Sequence, residues 1–260
     1  MAAAWSGGFG QMRALQPDSA NVNVIALADQ SNTGVPSLVQ ATTTLTPNLV
    51  PASQNGLPVL AASKWVVNSV QPFLQAPSAA QNWAFQPNQP FTVAMAFKKN
   101  PSSTGGDQSF VNPLVSNLDF NMGSLQGWFL GLKNFVPGFE IVFSLNGGSS
   151  FATTNCINVH GSTALIGGAN YTAIASYDGS GHAAGVTLLV NGQGQTNTVV
   201  DDALPAAITY TNTKPTLWTS AVASAGQNAD TFFEAIVVNR QLSVIETTSL
   251  NSYLRSKWGF

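Results

Sequence analysis

Apolar residues along this chain alternate with polar or small ones, and glycine, asparagine and proline interrupt the alternation at short intervals. The clearest stretch sets Phe91, Val93, Met95 and Phe97 between Thr92, Ala94 and Ala96. Successive side chains of a strand point to opposite faces, so the large groups share one face and the alanines are expected to lie under another layer. Phe139, Ile141, Phe143 and Leu145 repeat the pattern against Glu140, Val142 and Ser144, and this strand stops at Asn146-Gly147-Gly148. Residues 231–238 set Phe233, Ala235 and Val237 opposite Phe232, Glu234, Ile236 and Val238. Apolar residues on both sides predict a strand covered twice, by a second sheet and by a terminal helix. Shorter strands are predicted at 64–70, 110–118 and 127–132.

Between them, Tyr171, Ala173 and Ala175 open a strand that ends at Tyr177, and Asp178-Gly179 with Gly181 turns the chain into a strand at 186–190. Asn191-Gly192 then supplies the two positive-φ residues of a type I′ hairpin. From this turn 195–200 is predicted to return as a strand, followed by a loop at Asp201, Asp202 and Pro205. Short strands joined by turns, with no helices between them, favour a sandwich or jelly roll over βαβ units.

The two ends read differently. Residues 1–55 show one extended strand at 22–28 and a Thr/Ala/Pro-rich run at 40–51, too dispersed in apolar content for a core of their own. They read as an extended N-terminal arm, lying against its own domain or a neighbour, or else as a flexible leader; the body spans 56–260. At the other end Ser243 and Glu246 have the spacing of a capping box. Leu250, Leu254 and Trp258 follow as an apolar stripe, Arg255 and Lys257 suit the negative end of the helix dipole, and Gly259 stops the helix.

Three of these motifs carry a resemblance: Tyr177-Asp178-Gly179; Gly-Val-x-Leu-x-Val-Asn-Gly from 185 to 192; and Leu-Ser-x-x-Glu leading to Tyr-Leu-x-x-Lys-x-Gly from 242 to 259. In their order and separation they resemble the laminin-G-like branch of the concanavalin A-like lectin/glucanase superfamily. The resemblance is closest from Phe91 onward, weaker over 56–90 and absent before. It implies an all-β, antiparallel jelly-roll sandwich with the N-terminal arm and a short C-terminal helix appended. Lectins, hydrolases, adhesive modules and virion domains all use this fold, so the fold does not choose among them.

Composition narrows the choice. Hydrophobic residues make up 44% of the 260 positions but charged ones only 8%, against roughly a quarter in ordinary soluble domains. With a formal net charge of −2, little repulsion keeps copies apart, which suits a subunit of a fixed assembly. Nine Lys and Arg residues in all argue against nucleic-acid binding, which needs a clustered basic surface. Cys156 is the only cysteine, which excludes an intrachain disulfide and reads as a buried small residue. No apolar run approaches the length of a membrane span, and MAAAWSGGFGQM lacks the basic start and continuous apolar segment of a secretory signal. Release by lysis, or transport within a larger particle, is the expectation.

Glycan recognition calls for aromatic faces beside amide, carboxylate or imidazole groups. Tyr177, Asp178, His182, Trp128 and Trp218 are the candidate contacts. The resemblance brings calcium into consideration at the sandwich rim, where Asp107, Asp178, Asp201, Asp202 and Asp230 could contribute oxygens, although none has the spacing of a self-contained calcium loop. No residue is assigned to a metal, a cofactor or catalysis. The glutamates Glu140, Glu234 and Glu246 stand far apart, and Val142 occupies the place of a second carboxylate after Glu140; a pairing in space of Asp119 with Glu140 is the remaining hydrolytic option. One cysteine, with His160 and His182 beside loop-forming residues, offers neither a zinc site nor a nucleophile–base pair.

The expectation is a non-enzymatic structural protein of a virion, a phage capsid decoration or surface protein with a lectin-like domain. Its N-terminal arm would contact other virion proteins, with the chain a homo-oligomer, by analogy a trimer, and a host surface glycan an optional ligand. A tail-associated receptor-binding protein or a free carbohydrate-binding module is the alternative, and a polysaccharide hydrolase follows after these.

Overall fold

The computed structural model describes residues 3–6, 22–23, 26–27, 38–39, 47–61, 74–77, 83, 85–99, 111–119, 125–135, 138–148, 155–205, 208–210, 212–217 and 231–260. Their strands form two nine-stranded sheets packed face to face, and every described pairing is antiparallel. With the C-terminal helix Val244–Trp258 they make a jelly-roll sandwich.

In the first sheet Phe91–Lys98 lies between Asn170–Tyr177 and Thr231–Val238. Beyond Asn170–Tyr177 come Val186–Val190 and Gln193–Gly194; beyond Thr231–Val238 come Leu57–Ala61, Asn48–Gln54 and Val22–Asn23. Ala3–Ser6 also pairs with Thr231–Val238. The second sheet runs Thr198–Asp202, Cys156–His160, Gly138–Gly148, Leu125–Phe135, Val111–Asp119, Lys214–Leu217, Leu74–Gln75, Leu38–Val39 and Ala26–Leu27.

The alternation in sequence becomes the layering. Phe91, Val93, Met95 and Phe97 face the second sheet and share one core with Trp128, Leu130, Ile141 and Phe143. Ala94 and Ala96 face outward with Ile174 and Phe233, and Leu254 and Trp258 of the helix close over them. Small side chains on this strand leave room for the helix, whose large ones fill it. Burying one such large group contributes about 1.5–3 kcal/mol.

The helix ends are built as the sequence indicates. Ser243 accepts the Glu246 amide while the Glu246 side chain accepts the Ser243 amide, and Gly259 takes the left-handed conformation at φ 74°. Gln54 and Asn55 donate their side-chain amides to the Trp258 and Lys257 carbonyls at 2.6 and 2.9 Å, satisfying acceptors that a helix end leaves open. Asn55-Gly56, at φ 49° and 73°, is itself a tight turn joining Asn48–Gln54 to Leu57–Ala61.

Four strand expectations change. Thr198–Asp202 does not return beside Val186–Val190; it crosses to the second sheet and pairs with Cys156–His160. The hairpin at Asn191-Gly192 instead closes onto the two residues Gln193–Gly194. Asp201 and Asp202 accordingly lie in a strand rather than a loop. Within the stretch at 22–28 the described residues form two short strands, Val22–Asn23 and Ala26–Leu27, one in each sheet. In Thr231–Val238 a register shift between Phe232 and Glu234 reverses the parity: Phe232 joins the core with Ala235 and Val237, and Phe233 turns to the helix. One extra residue in a strand exchanges the faces of everything beyond it. The predicted strand at 64–70 lies outside the described residues.

Candidate functional site

The rim of the sandwich carries a surface cleft of about 620 Å³, bounded by residues 86–88, by 179–182, and by Leu204, Pro205, Ile208 and Thr209. Its volume falls in the range of small-molecule sites, about 300–1,000 Å³. The loop after Tyr177 forms one wall, and its shape follows from its sequence. Asp178 Oδ1 accepts the Ser180 amide at 2.8 Å, the side-chain-to-backbone turn that aspartate favours. Gly179 and Gly181 sit at φ 83° and 80°, where a side chain is disfavoured. A Cβ on Gly185 would overlap Asp178 Oδ1, so glycine is required where the loop closes back on itself.

Tyr177 ties two walls together beneath this loop. Its hydroxyl donates to the Pro87 carbonyl at 2.6 Å and accepts the Gly181 amide at 2.5 Å. The ring is fully buried, edge-on to Phe91 with centroids 5.9 Å apart. Burial raises the pKa of the hydroxyl, against the opposing effect of the Gly181 amide. Gln86 fixes the third wall, accepting the Tyr210 amide and donating to the Tyr210 carbonyl at 2.8 and 3.2 Å. Asp202 reaches over from the second sheet, accepting the Ala183 amide at 2.7 Å, with His182 Nδ1 3.6 Å from the same oxygen. The crossing of Thr198–Asp202 to that sheet is what puts Asp202 here.

Of the five glycan candidates, three gather at this place: Tyr177 under the loop, Asp178 bracing it, and His182 exposed in the wall. Trp128 is fully buried, stacks obliquely near Trp83 and Phe91, and donates its indole N–H to the Trp83 carbonyl at 2.9 Å. It has no ring face to offer a ligand. Trp218 lies outside the described residues. Sequence reasoning missed Gln86, Asn88, Leu204, Ile208 and Thr209; they sit in irregular segments whose proximity no local pattern announces.

The other titratable groups stand elsewhere. Asp119 pairs across the sheet with Gln126 and Glu140 with Lys133. Those partners stand seven positions apart along Leu125–Phe135, about 24 Å at ~3.4 Å per residue, well beyond the separation two glycosidase carboxylates keep. Cys156 is a buried free thiol whose pKa is pushed up to about 12 by burial and by Asp201. His160 is buried, and burial, with Lys133 nearby, lowers its pKa to about 4. Among the described residues no three His, Cys, Asp or Glu side chains gather as a metal site; of the calcium candidates, Asp107 and Asp230 lie outside those residues.

No protein-family model matches the chain, and no curated protein matches it. Solved structures do. The binding domain of Paraclostridial Mosquitocidal Protein 1 is similar over 96% of this chain and 52% of that one, with a TM-score of 0.59 and 13% identity. The binding domain of botulinum neurotoxin serotype G is similar over 98% and 51%, with a TM-score of 0.53 and 13% identity. A Trypanosoma rangeli sialidase in complex with sialic acid is similar over 98% and 33%, with a TM-score of 0.52 and 12% identity. The chain thus spans about half the length of the two binding domains and a third of the sialidase. At such identities the likeness is one of fold, an antiparallel β-sandwich.

Proposed function

We propose that this chain is a non-enzymatic binding module on a virion surface, whose rim cleft recognises a saccharide and whose N-terminal segment holds it in the particle. The cleft carries the reading. Pro87, Leu204, Pro205 and Ile208 give it an apolar side for the C–H face of a sugar ring, while Asn88, Ser180, His182 and Thr209 bring polar groups for hydroxyls. None of the described residues lining it is a carboxylate, whereas glycoside hydrolysis calls for two. The similarity in fold to two binding domains supports recognition.

Placement on a phage capsid, as a decoration or surface protein, is supported by the low charge and by the resemblance to the laminin-G-like branch, in which virion domains occur. A tail-associated receptor binder uses the same cleft. The test uses the full chain: native mass measurement, with a trimer expected, and an oligosaccharide panel, with binding and no hydrolysis expected. A monomer that binds no saccharide removes the proposal. Turnover that a single carboxylate substitution abolishes replaces it with an enzyme.

A further inference from the structure

We infer that the rim cleft selects neutral saccharides and rejects acidic ones. This rests on the saccharide reading of the cleft and adds its ligand class. An anionic sugar needs cationic side chains or free backbone N–H groups converging on its carboxylate or sulfate. The described residues lining the cleft include no Lys and no Arg. The backbone of the loop is equally unsuited to an anion. Four consecutive amides are already engaged within the protein: Ser180 donates to Asp178, Gly181 to Tyr177, His182 to the Ser180 hydroxyl and Ala183 to Asp202.

Among the described residues, the charges that stand beside the cleft are negative. Asp178 and Asp202 are both exposed to solvent while they hold the loop in shape. His182 is the one ionisable group among the described lining residues, and its Nδ1 is 3.6 Å from Asp202. Gln86 has both ends of its amide on the Tyr210 backbone. That leaves the Asn88 amide and the Ser180 and Thr209 hydroxyls, neutral groups that both donate and accept and so match sugar hydroxyls. A ligand carboxylate brought here would meet two like charges, with no Lys or Arg among the described lining residues to offset them.

The experiment titrates full-length protein with neutral oligosaccharides, each paired with its sialylated or sulfated counterpart, at neutral pH. Neutral members are expected to bind, and their acidic counterparts to bind about tenfold more weakly, roughly threefold for each unit charge some 7 Å away in water. Asp178→Asn keeps the oxygen that accepts the Ser180 amide and removes one charge. It is expected to narrow the gap about threefold, read as the ratio of affinities within each pair so that a change shared by both members cancels, and added salt should narrow the gap in the unmodified protein. Acidic members bound as tightly as neutral ones overturn the inference and leave the saccharide reading standing; a gap that neither Asp178→Asn nor salt changes overturns its electrostatic basis. If no member of any pair binds, the saccharide reading falls and this inference with it.

Discussion

Under the C-terminal helix and at the rim of the sandwich, this sparsely charged chain uses carboxylates in opposite ways. Glu234 is 2% exposed. Its oxygens accept from Lys257 Nζ at 2.9 Å, Trp258 Nε1 at 2.9 Å and Tyr253 Oη at 3.3 Å, all three donors coming from the helix. Phe233 stacks on Trp258 beside it, with centroids 5.2 Å apart. At the rim, Asp178 and Asp202 each accept a backbone amide of one loop and remain in contact with water. The first carboxylate is enclosed by its donors and fastens one layer to another; the other two shape a loop and still project their charge over a cleft. A buried charge is tolerated only where its partners are complete, so the Glu234 site is structural, while solvent-exposed carboxylates beside a cavity can influence what enters it.

The largest effect should come from breaking the enclosed site. Glu234→Ala removes the buried carboxylate to which Lys257 and the Trp258 indole donate and is expected to cost about 3–5 kcal/mol, read from denaturant unfolding; a loss under about 1 kcal/mol would mean that the apolar contacts of Leu254 and Trp258 hold the helix alone. At the rim, Gly179→Ala forces a side chain into a left-handed backbone with its Cβ 3.0 Å from the Asn88 carbonyl oxygen. The expected cost is about 1–2 kcal/mol, with weakened saccharide binding as two walls of the cleft are pushed apart; unchanged binding would separate the cleft from the loop's conformation.

Ser243→Ala, which removes the cap of the helix, should cost about 1 kcal/mol in the same unfolding measurement. The smallest effect is an acid one. Hydrogen bonds from Arg240, and then from Ser243, lower the Glu246 pKa to about 2 from an ordinary value of 4.5. A depressed folded-state pKa means that this contribution is complete above the ordinary value and is lost as pH falls toward about 2. Melting temperatures followed through that window should decline less steeply in Glu246→Gln than in the unmodified chain, and parallel curves would exclude the cap as an acid-sensitive element.

Much of the sandwich was legible because its signals are local. Period-two alternation marks Phe91–Lys98 and Gly138–Gly148, Asn191-Gly192 marks a hairpin, and Ser243 with Glu246 and Gly259 marks both ends of the helix. Asn55-Gly56 carried the same hairpin signal, and the expected division between arm and body falls within that turn. Around the cleft the sequence drew attention to the turn that holds Tyr177, Asp178 and His182, of which His182 lines it, because a polar turn after a strand announces itself.

What it could not convey is which strand lies beside which. Alternation identifies a strand but carries no address for its partner, so Thr198–Asp202 could be recognised as extended at its start without revealing that it joins the second sheet. The register shift at Phe232 and Glu234 is equally silent, since it depends on how Thr231–Val238 seats against Phe91–Lys98. The same limit hid Gln86 and Ile208 from view and made Trp128 look available for a ligand, although the fold buries it beneath Trp83 and Phe91. Residue type and spacing determined the strands, turns and caps, because those depend on neighbours a few positions away. The cleft, with Asp202 at its edge and no cation among its described lining residues, was decided by contacts between segments far apart in the chain, and only the packed tertiary structure brings those together.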